Sequence, residues 1–216
     1  MTITTDDSVV LEAKLASSGA RPGLVICHPH PLYGGDMDNP VVVRVAEVAG
    51  GLGLASLRFN FRGVGGSTGA HGGGEAERLD ATAAVEHLRA RLGSPAARVV
   101  LAGYSFGAIV AAQVASSATL SGLALIAPPL GMRGHDDVRG LASFSAPLLI
   151  VAGSADEYCP LPDLERARAG LPNATVRVID GANHFFFGKL FPLGEAVREW
   201  LEGLELGEPG RSRGAG

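Results

Sequence analysis

Short, continuous apolar runs alternate with helical patterns along most of this chain, and that alternation restricts its fold more than any other feature. The runs at 23–27, 98–102, 122–127 and 147–152 lack the regular polar positions of a half-exposed strand. Strands of this kind are buried on both faces, as happens when helices cover both sides of a parallel sheet. The sequence therefore predicts an α/β fold with a mostly parallel central sheet, helices on both faces and right-handed crossovers.

About seven strands, with helices between them, follow from the periodicity and from the turn residues that bound each segment. The predicted strands cover residues 9–16, 23–27, 55–61, 98–102, 122–127, 147–152 and 175–179. The predicted helices cover residues 40–49, 75–92, 108–116, 161–169 and 193–204. Because 216 residues suit one domain of this type, we expect a single domain over 1–204 and a disordered tail at 205–216.

Charge and cysteine content exclude several classes of protein. Lys and Arg number 18 and Asp and Glu 22, so the net charge is −4, and no basic stripe offers a surface to nucleic acid. Cys27 and Cys159 are too few for a disulfide framework and lack metal-site spacing, so we expect free thiols. The first ten residues do not resemble a signal peptide, and no apolar run has the length of a membrane span. A cytoplasmic protein is predicted, with its oligomeric state left open.

The GYSFG sequence at 103–107 follows an apolar strand and precedes a helix rich in Ala and Val. In this context the G-x-S-x-G pattern forms a tight strand-to-helix turn. Side chains two positions before and after the serine would collide there, so glycine is needed at both positions. Ser105 is therefore predicted to be a nucleophile on a strained turn, with its hydroxyl exposed near the amides of the helix N-terminus.

A serine hydroxyl is a weak nucleophile unless a base takes its proton and an acid orients that base. Loops after later parallel strands converge on the same sheet edge as the serine turn. His184 follows the strand at 175–179, and Asp156 follows the strand at 147–152. The sequence therefore predicts His184 as the base and Asp156 as the orienting acid for Ser105.

Other carboxylates remain alternatives for the orienting acid. Glu157 and Asp180 lie in the same two loops as Asp156 and His184 and could replace Asp156 in that role. Asp136 and Asp137 are weaker alternatives because they lie in a polar segment without a strand directly before it.

An oxyanion site needs two hydrogen-bond donors. One is the N–H of Phe106, directly after the nucleophile, and the other is expected in the loop after the strand at 23–27. The prolines of HPHPLY at 28–33 lack an N–H, so the available amides belong to His30, Leu32 and Tyr33. We predict His30 as the second donor.

Two alternatives give the same residues different roles. His28, His30 and His184 could bind zinc together with Asp156, although a His-Pro-His segment is a stiff chelate and this site would leave the serine turn unexplained. The glycine-rich RGVGGS at 62–67 follows a strand as a phosphate-binding loop does, but it lacks the lysine and the glycine spacing of such loops. A connecting loop and no metal site are therefore predicted.

These motifs resemble the α/β-hydrolase superfamily, and within it the small bacterial hydrolases of the dienelactone hydrolase and acyl-peptidase-like branch. Beyond GYSFG, the resemblance rests on HPHPLYGG at 28–35, RFNFRGVG at 58–65 and GANHFF at 181–186. The resemblance implies that Ser105, His184 and Asp156 form a catalytic triad. Dienelactone hydrolase has a cysteine where this chain has Ser105.

The resemblance also bears on the shape of the site. Many members of the superfamily insert a helical cap where this chain has only 128–146, so we expect no cap domain and an open cleft. Tyr33, Tyr104, Met132 and Phe185 are predicted to border it and to favour an apolar acyl or alcohol group. The expected reaction is hydrolysis of a small carboxylic ester or thioester without a cofactor, with acyl transfer or a non-catalytic binding role as alternatives.

Overall fold

Strands and helices alternate in the computed structural model, which describes residues 1–16, 22–94, 96–132 and 136–204. The strands are β1 Thr2–Thr4, β2 Val10–Ala16, β3 Gly23–Cys27, β4 Ala55–Phe59, β5 Val99–Tyr104, β6 Gly122–Ile126, β7 Leu148–Gly153 and β8 Ala174–Ile179. The helices are α1 Pro40–Gly51, α2 Glu77–Arg91, α3 Phe106–Ala115, α4 Leu161–Ala169 and α5 Leu190–Gly203. Short 3-10 segments occur at Pro31–Tyr33 and Asp136–Ser143.

Within the described residues, eight strands form one sheet in the order β1-β2-β4-β3-β5-β6-β7-β8. The pairs β1·β2 and β2·β4 are antiparallel, and the other pairs are parallel. Cys27 at the end of β3 pairs with Gly103 near the end of β5, and Gly153 of β7 pairs with Ile179 of β8. The loops after these strands therefore begin at one edge of the sheet, and the predicted α/β fold is confirmed.

Helices cover both faces of the sheet, which explains why the central strands are apolar along their whole length. All residues of β3, β5, β6 and β7 are buried. On one face, Val45 of α1 and Leu193 of α5 pack with inward side chains of the strands. On the other face, Leu88 of α2, Val110 of α3 and Leu164 of α4 form the second core. Successive strand residues contact the two cores in turn.

Several predicted boundaries differ from the structure by one to three residues, and three of them have a clear physical reason. Strand β4 ends two residues early, because the N–H of Phe61 donates to Nε2 of His28 at 3.0 Å. Helix α5 begins at Leu190, earlier than predicted, because Pro192 lies in its first turn, where a missing N–H costs no helical hydrogen bond. Helix α2 begins at Glu77 instead of residue 75, since the preceding residues belong to a loop that this carboxylate binds.

Strand β1 was not among the predicted strands. Its Ile3 pairs with Leu11 of β2 and is 3% exposed, packed in the core that α2 covers. Three residues that include two threonines carry no periodic signal, and the strand forms through pairing with β2 and burial of one side chain. The count of about seven strands is therefore one short.

The connection between β6 and β7 is short, as expected for a hydrolase without a cap. Its described part forms a loop and the 3-10 segment Asp136–Ser143, whose Val138 and Leu141 are buried against the core. The described residues thus contain no cap domain.

Two further predictions concern the chain as a whole. The predicted tail at 205–216 lies outside the described residues. Across the parts of the chain that are described, no helix is both long and apolar enough to cross a membrane. A single domain over 1–204 stays a prediction.

Candidate active site

Ser105 lies on a sharp turn between β5 and α3. Its backbone angles are φ 55° and ψ −117°, a conformation that residues with a side chain rarely adopt. A Cβ on Gly103 would lie 2.1 Å from the carbonyl oxygen of Gly107, and a Cβ on Gly107 would lie 2.5 Å from those of Cys27 and His28. Both glycines are therefore required by close backbone approach, as the sequence predicts.

The residues predicted as nucleophile, base and acid form a continuous series, in which each side chain lies within hydrogen-bond distance of the next. Oγ of Ser105 is 2.9 Å from Nε2 of His184. Nδ1 of His184 is 3.0 Å from both carboxylate oxygens of Asp156. With Nδ1 protonated, this ring donates to the carboxylate and keeps the lone pair of Nε2 directed at the serine hydroxyl.

The loop after β7 fixes the carboxylate of Asp156, which is 4% exposed. Its Oδ1 accepts hydrogen bonds from the N–H groups of Tyr158 at 2.9 Å and Cys159 at 3.1 Å. Gly153 allows the loop after β8 to pass close by, since a Cβ there would lie 2.1 Å from the carbonyl oxygen of Ala182. The two loops are thus held together at the sheet edge.

Tyr104 anchors the loop that carries His184. Its hydroxyl donates to the backbone carbonyl of His184 at 2.9 Å, and the residue is 2% exposed. Burial raises the pKa of the Tyr104 hydroxyl far above its ordinary value, so it remains a protonated donor. On the outer side, the ring of Tyr158 lies 4.7 Å from the His184 ring, centroid to centroid. The imidazole therefore has little freedom to turn.

The alternative acids are engaged elsewhere or face solvent. Asp180 is exposed and accepts a hydrogen bond from the hydroxyl of Ser154 at 3.2 Å. Glu157 is exposed beside Asp156. The side chains of Asp136 and Asp137 lie outside the described part of the structure. Of the described carboxylates, Asp156 is the one in contact with His184.

The proposed oxyanion donors belong to two separate segments, the start of α3 and the loop after β3. Phe106 is the first residue of α3, where a backbone N–H has no carbonyl partner inside the helix. In the loop after β3, the N–H of Leu32 donates to Nδ1 of His30 at 3.2 Å, and the N–H of Tyr33 donates to the carbonyl of His30 at 3.1 Å. Two of the three candidate amides are thus used within the loop, and His30 stays the predicted second donor.

His28 is fully buried and does not suit the metal site considered from the sequence. Its Nε2 accepts the N–H of Phe61, and its Nδ1 donates to the carbonyl of Pro29 at 2.6 Å. Burial lowers the pKa of His28 to about 4, so the ring is neutral near pH 7. Because the backbone engages both ring nitrogens, this histidine has no free lone pair for a metal.

The glycine-rich segment, which extends over residues 62–74, binds carboxylates of its own chain. The N–H of Gly66 donates to Oε2 of Glu12 at 2.8 Å, and the N–H groups of Gly72 and Gly74 donate to Glu77 at 2.8 and 2.7 Å. The contact of Gly66 with Glu12 argues against the phosphate-binding role considered for 62–67. The connecting loop predicted there is more ordered than its composition suggests.

A cleft of about 430 Å³ opens above Ser105. Its described walls combine aromatic and small residues: Pro29, His30, Tyr33, Gly34, Gly35, Asn39, Tyr104, Ser105, Phe106, Pro129, Met132, Tyr158, His184 and Phe185. The four residues predicted to border the site are all among them. Tyr33, Phe185 and Met132 are exposed at the rim, whereas Tyr104 is buried and forms the floor.

Tyr158 is the main cleft residue that the sequence prediction missed. It is 42% exposed, covers the ring of His184, and lies two residues after Asp156 in the same loop. A signal existed, since an aromatic residue so close to a predicted triad acid lies near the reacting atoms. Asn39 and Pro129 were also missed, because only the folding of distant loops brings them to the cleft.

Comparison with known proteins agrees with this fold. The family model described as "Alpha/beta hydrolase domain" matches residues 23–190. The chain therefore belongs to the α/β-hydrolase family, and the superfamily recognised in the sequence is confirmed. An uncharacterized protein of Rickettsia prowazekii is similar, with 33% identity over 193 residues that cover 86% of this chain and 81% of that protein.

Two solved structures are similar over nearly the whole chain. An α/β serine hydrolase homologue from Coxiella burnetii is 32% identical with a TM-score of 0.82, over 92% of this chain and 95% of that one. A protein of Xanthomonas campestris, a member of the α/β serine hydrolases without a lid, is 30% identical with a TM-score of 0.81. The match covers 94% of this chain and 92% of that one. The chain is thus similar to serine hydrolases that include a lidless member.

Proposed function

We propose that this chain is a serine hydrolase that cleaves a carboxylic ester or thioester of a small molecule through an acyl-enzyme on Ser105. The observation that carries the proposal is the continuous hydrogen-bonded series from Oγ of Ser105 through His184 to Asp156, at 2.9 and 3.0 Å. The strained backbone of Ser105 supports it, since such strain is a recurrent feature of nucleophile turns. Membership in the α/β-hydrolase family supports the same reaction class.

The proposed reaction has two steps. Nε2 of His184 takes the proton of Ser105 while its oxygen attacks the carbonyl carbon, and Asp156 stabilises the resulting imidazolium. The N–H groups of Phe106 and His30 bind the oxyanion, and His184 then protonates the leaving alcohol or thiol. Water attacks the acyl-enzyme with the same base, which releases the acid and restores Ser105. No step requires a metal or an organic cofactor.

The cleft favours an apolar group on the substrate. Tyr33, Met132, Tyr158 and Phe185 expose apolar surface around Ser105, and burying that surface against an apolar acyl or alcohol group is favourable. None of the described lining residues is Lys, Arg, Asp or Glu. We therefore expect neutral, apolar p-nitrophenyl esters to be turned over faster than esters whose acyl group carries a carboxylate.

A fluorophosphonate probe combined with a substrate screen tests the proposed function. Wild-type protein should be labelled at Ser105 and should hydrolyse p-nitrophenyl esters or acyl-CoA thioesters, and Ser105→Ala should lose both properties. Ser116→Ala is the matched control, because Ser116 is exposed at the opposite end of α3.

Each alternative function has its own outcome in this experiment. Folded wild-type protein that neither reacts with the probe nor turns over any ester would contradict catalysis and favour a binding protein. Labelling at Ser105 with acyl product found on an added alcohol or amine, instead of free acid, would identify an acyltransferase that uses the same residues.

A further inference from the structure

The end of the glycine-rich segment contacts the two residues proposed as oxyanion donors, and the reaction above assigns this segment no role. The ring centroid of His71 is 4.9 Å from that of His30 and 5.5 Å from that of Phe106. The rings of His30 and Phe106 are 4.8 Å apart. His71 therefore packs against the side chains of both residues whose backbone N–H groups are the proposed oxyanion donors.

A buried carboxylate fixes the shape of this segment. Glu77, at the start of α2, is fully buried, and its two oxygens accept the N–H groups of Gly72 at 2.8 Å and Gly74 at 2.7 Å. Burial raises the pKa of Glu77, but these hydrogen bonds outweigh that effect and the pKa lies below its ordinary value. The carboxylate is therefore ionised near pH 7 and holds both ends of the turn at 72–74.

The same carboxylate faces the ring of His71. Nδ1 of His71 is 2.8 Å from Oε1 of Glu77, close enough for an ion pair but too poorly aligned for a regular hydrogen bond. The turn between them depends on Gly73 and Gly74, whose φ angles of 71° and 104° favour glycine. The imidazole is thus confined between a fixed carboxylate on one side and two aromatic rings on the other.

We propose that His71 and Glu77 are positioning residues for the oxyanion site. Glu77 sets the turn at 72–74, the turn places His71, and the ring of His71 restrains His30 and Phe106 so that their amides keep one direction. Preorganised donors stabilise a developing oxyanion strongly, and a displacement of about 1 Å can cost about 100-fold in rate. This inference rests on the proposed function, because it needs an oxyanion to form.

Paired variants at His71 separate ring packing from general stability. His71→Ala removes the ring, and His71→Phe restores a ring of similar shape against His30 and Phe106. Glu77→Gln replaces one acceptor oxygen with an NH₂ group, which cannot accept the loop amide. His87→Ala is the matched control, since His87 is a partly buried histidine about 15 Å further along α2.

The measurements are kcat and KM for an ester found by the screen, the inhibition constant of phenylboronic acid, and the unfolding temperature. We expect His71→Ala and Glu77→Gln to lower kcat by about 10-fold to 100-fold with little change in KM. The boronate forms a tetrahedral adduct on serine, so its affinity should fall by a similar factor. His71→Phe should recover most of both losses, and His87→Ala should leave kcat unchanged.

Several outcomes would overturn the inference. One is a His71→Ala protein that keeps kcat and boronate affinity within about twofold of wild type, even if its unfolding temperature falls. Another is a His71→Phe protein as impaired as His71→Ala. If Glu77→Gln does not fold, the comparison at His71 still decides. Failure of the proposed function is distinguishable, because the fluorophosphonate would then not label wild-type Ser105.

Discussion

Ser105 stores backbone strain that its surroundings must maintain. A non-glycine residue with positive φ costs about 1 to 3 kcal/mol and persists only where neighbouring structure leaves no alternative. Its N–H donates to the carbonyl of Ile126 in β6 at 2.9 Å, and its carbonyl accepts the N–H of Ala108 in α3 at the same distance. The strand beside it and the helix after it therefore hold the residue from both sides, and its hydroxyl stays directed at His184.

Asp156→Asn tests the orienting acid. An amide can donate to Nδ1 and so favour the wrong tautomer of His184, and we expect kcat to fall by about 10⁴-fold with the fold retained. Steady-state kinetics and circular dichroism measure the two effects. Asp180→Asn is the control, because Asp180 is exposed at the same sheet edge and contacts Ser154. Equal losses in both variants, or none in Asp156→Asn, would contradict the assignment.

His28 makes the stability of the fold depend on pH. Its folded pKa is about 4, below the ordinary value of about 6.5 in an unfolded chain, so the unfolded state binds the proton first on acidification. The contribution of His28 to the free energy of unfolding is fully present above about pH 6.5. Between about pH 6.5 and pH 4 it decreases by about 3 kcal/mol. Urea unfolding at several pH values measures the loss.

His28→Gln is the comparison for this pH dependence. Its neutral side chain does not titrate, so the variant should be less stable at pH 7 but should lose less stability on acidification. If the free energies of unfolding of the two proteins decrease equally between pH 7 and pH 4, His28 is not the titrating group.

At the scale of elements, β5, the serine turn and α3 behave as one unit that glycines hold against β3. Gly107→Ala would place a Cβ 2.5 Å from two backbone oxygens, so the helix must move away from β3. We expect a lower unfolding temperature and a loss of ester hydrolysis of at least about 10-fold, since Phe106 and Ser105 move with the helix. Thermal unfolding and kinetics measure both.

Gly50→Ala is the matched control for this steric argument. Gly50 lies in α1, and a Cβ there would meet no atom within 4 Å. Alanine should stabilise the helix by up to about 1 kcal/mol without changing activity. A Gly107→Ala protein as stable and active as this control would refute the close-packing account.

Elements differ in how well the sequence predicts them, for a physical reason. The strands β3, β5, β6 and β7 are short continuous apolar runs bounded by turn residues, a pattern typical of strands buried on both faces. Strand β1 and the early end of β4 depend on partners far along the chain, namely β2 and His28. The start of α5 depends on how a proline is tolerated in a first turn. Such contacts leave no local signal.

At the scale of the whole molecule, the side chain of Arg62 links the turn between β1 and β2 to helix α2. Arg62 contacts Asp80 of α2 at 2.7 Å and Asp7, before β2, at 2.8 Å. The side chain of Asp80 is fully buried and that of Arg62 is 7% exposed. Asp80→Ala would leave the guanidinium with one partner, and we expect a loss of about 3 kcal/mol in unfolding free energy.

Urea unfolding measures this loss, and an exposed ion pair provides the control. Glu75 and Arg78 are 3.0 Å apart at the surface, so Glu75→Ala should cost less than about 1 kcal/mol. Similar costs for Asp80→Ala and Glu75→Ala would contradict the role of the buried pair.

The sequence by itself determined the layered α/β fold and the residues Ser105, Asp156 and His184 as candidates, because apolar runs and strand-end loops are local properties. Only the tertiary structure decided how the loops meet: which carboxylate contacts His184, that Tyr158 covers the His184 ring, and that the ring of His71 packs against those of His30 and Phe106. These contacts join segments distant in sequence, and their geometry depends on the packing of both cores.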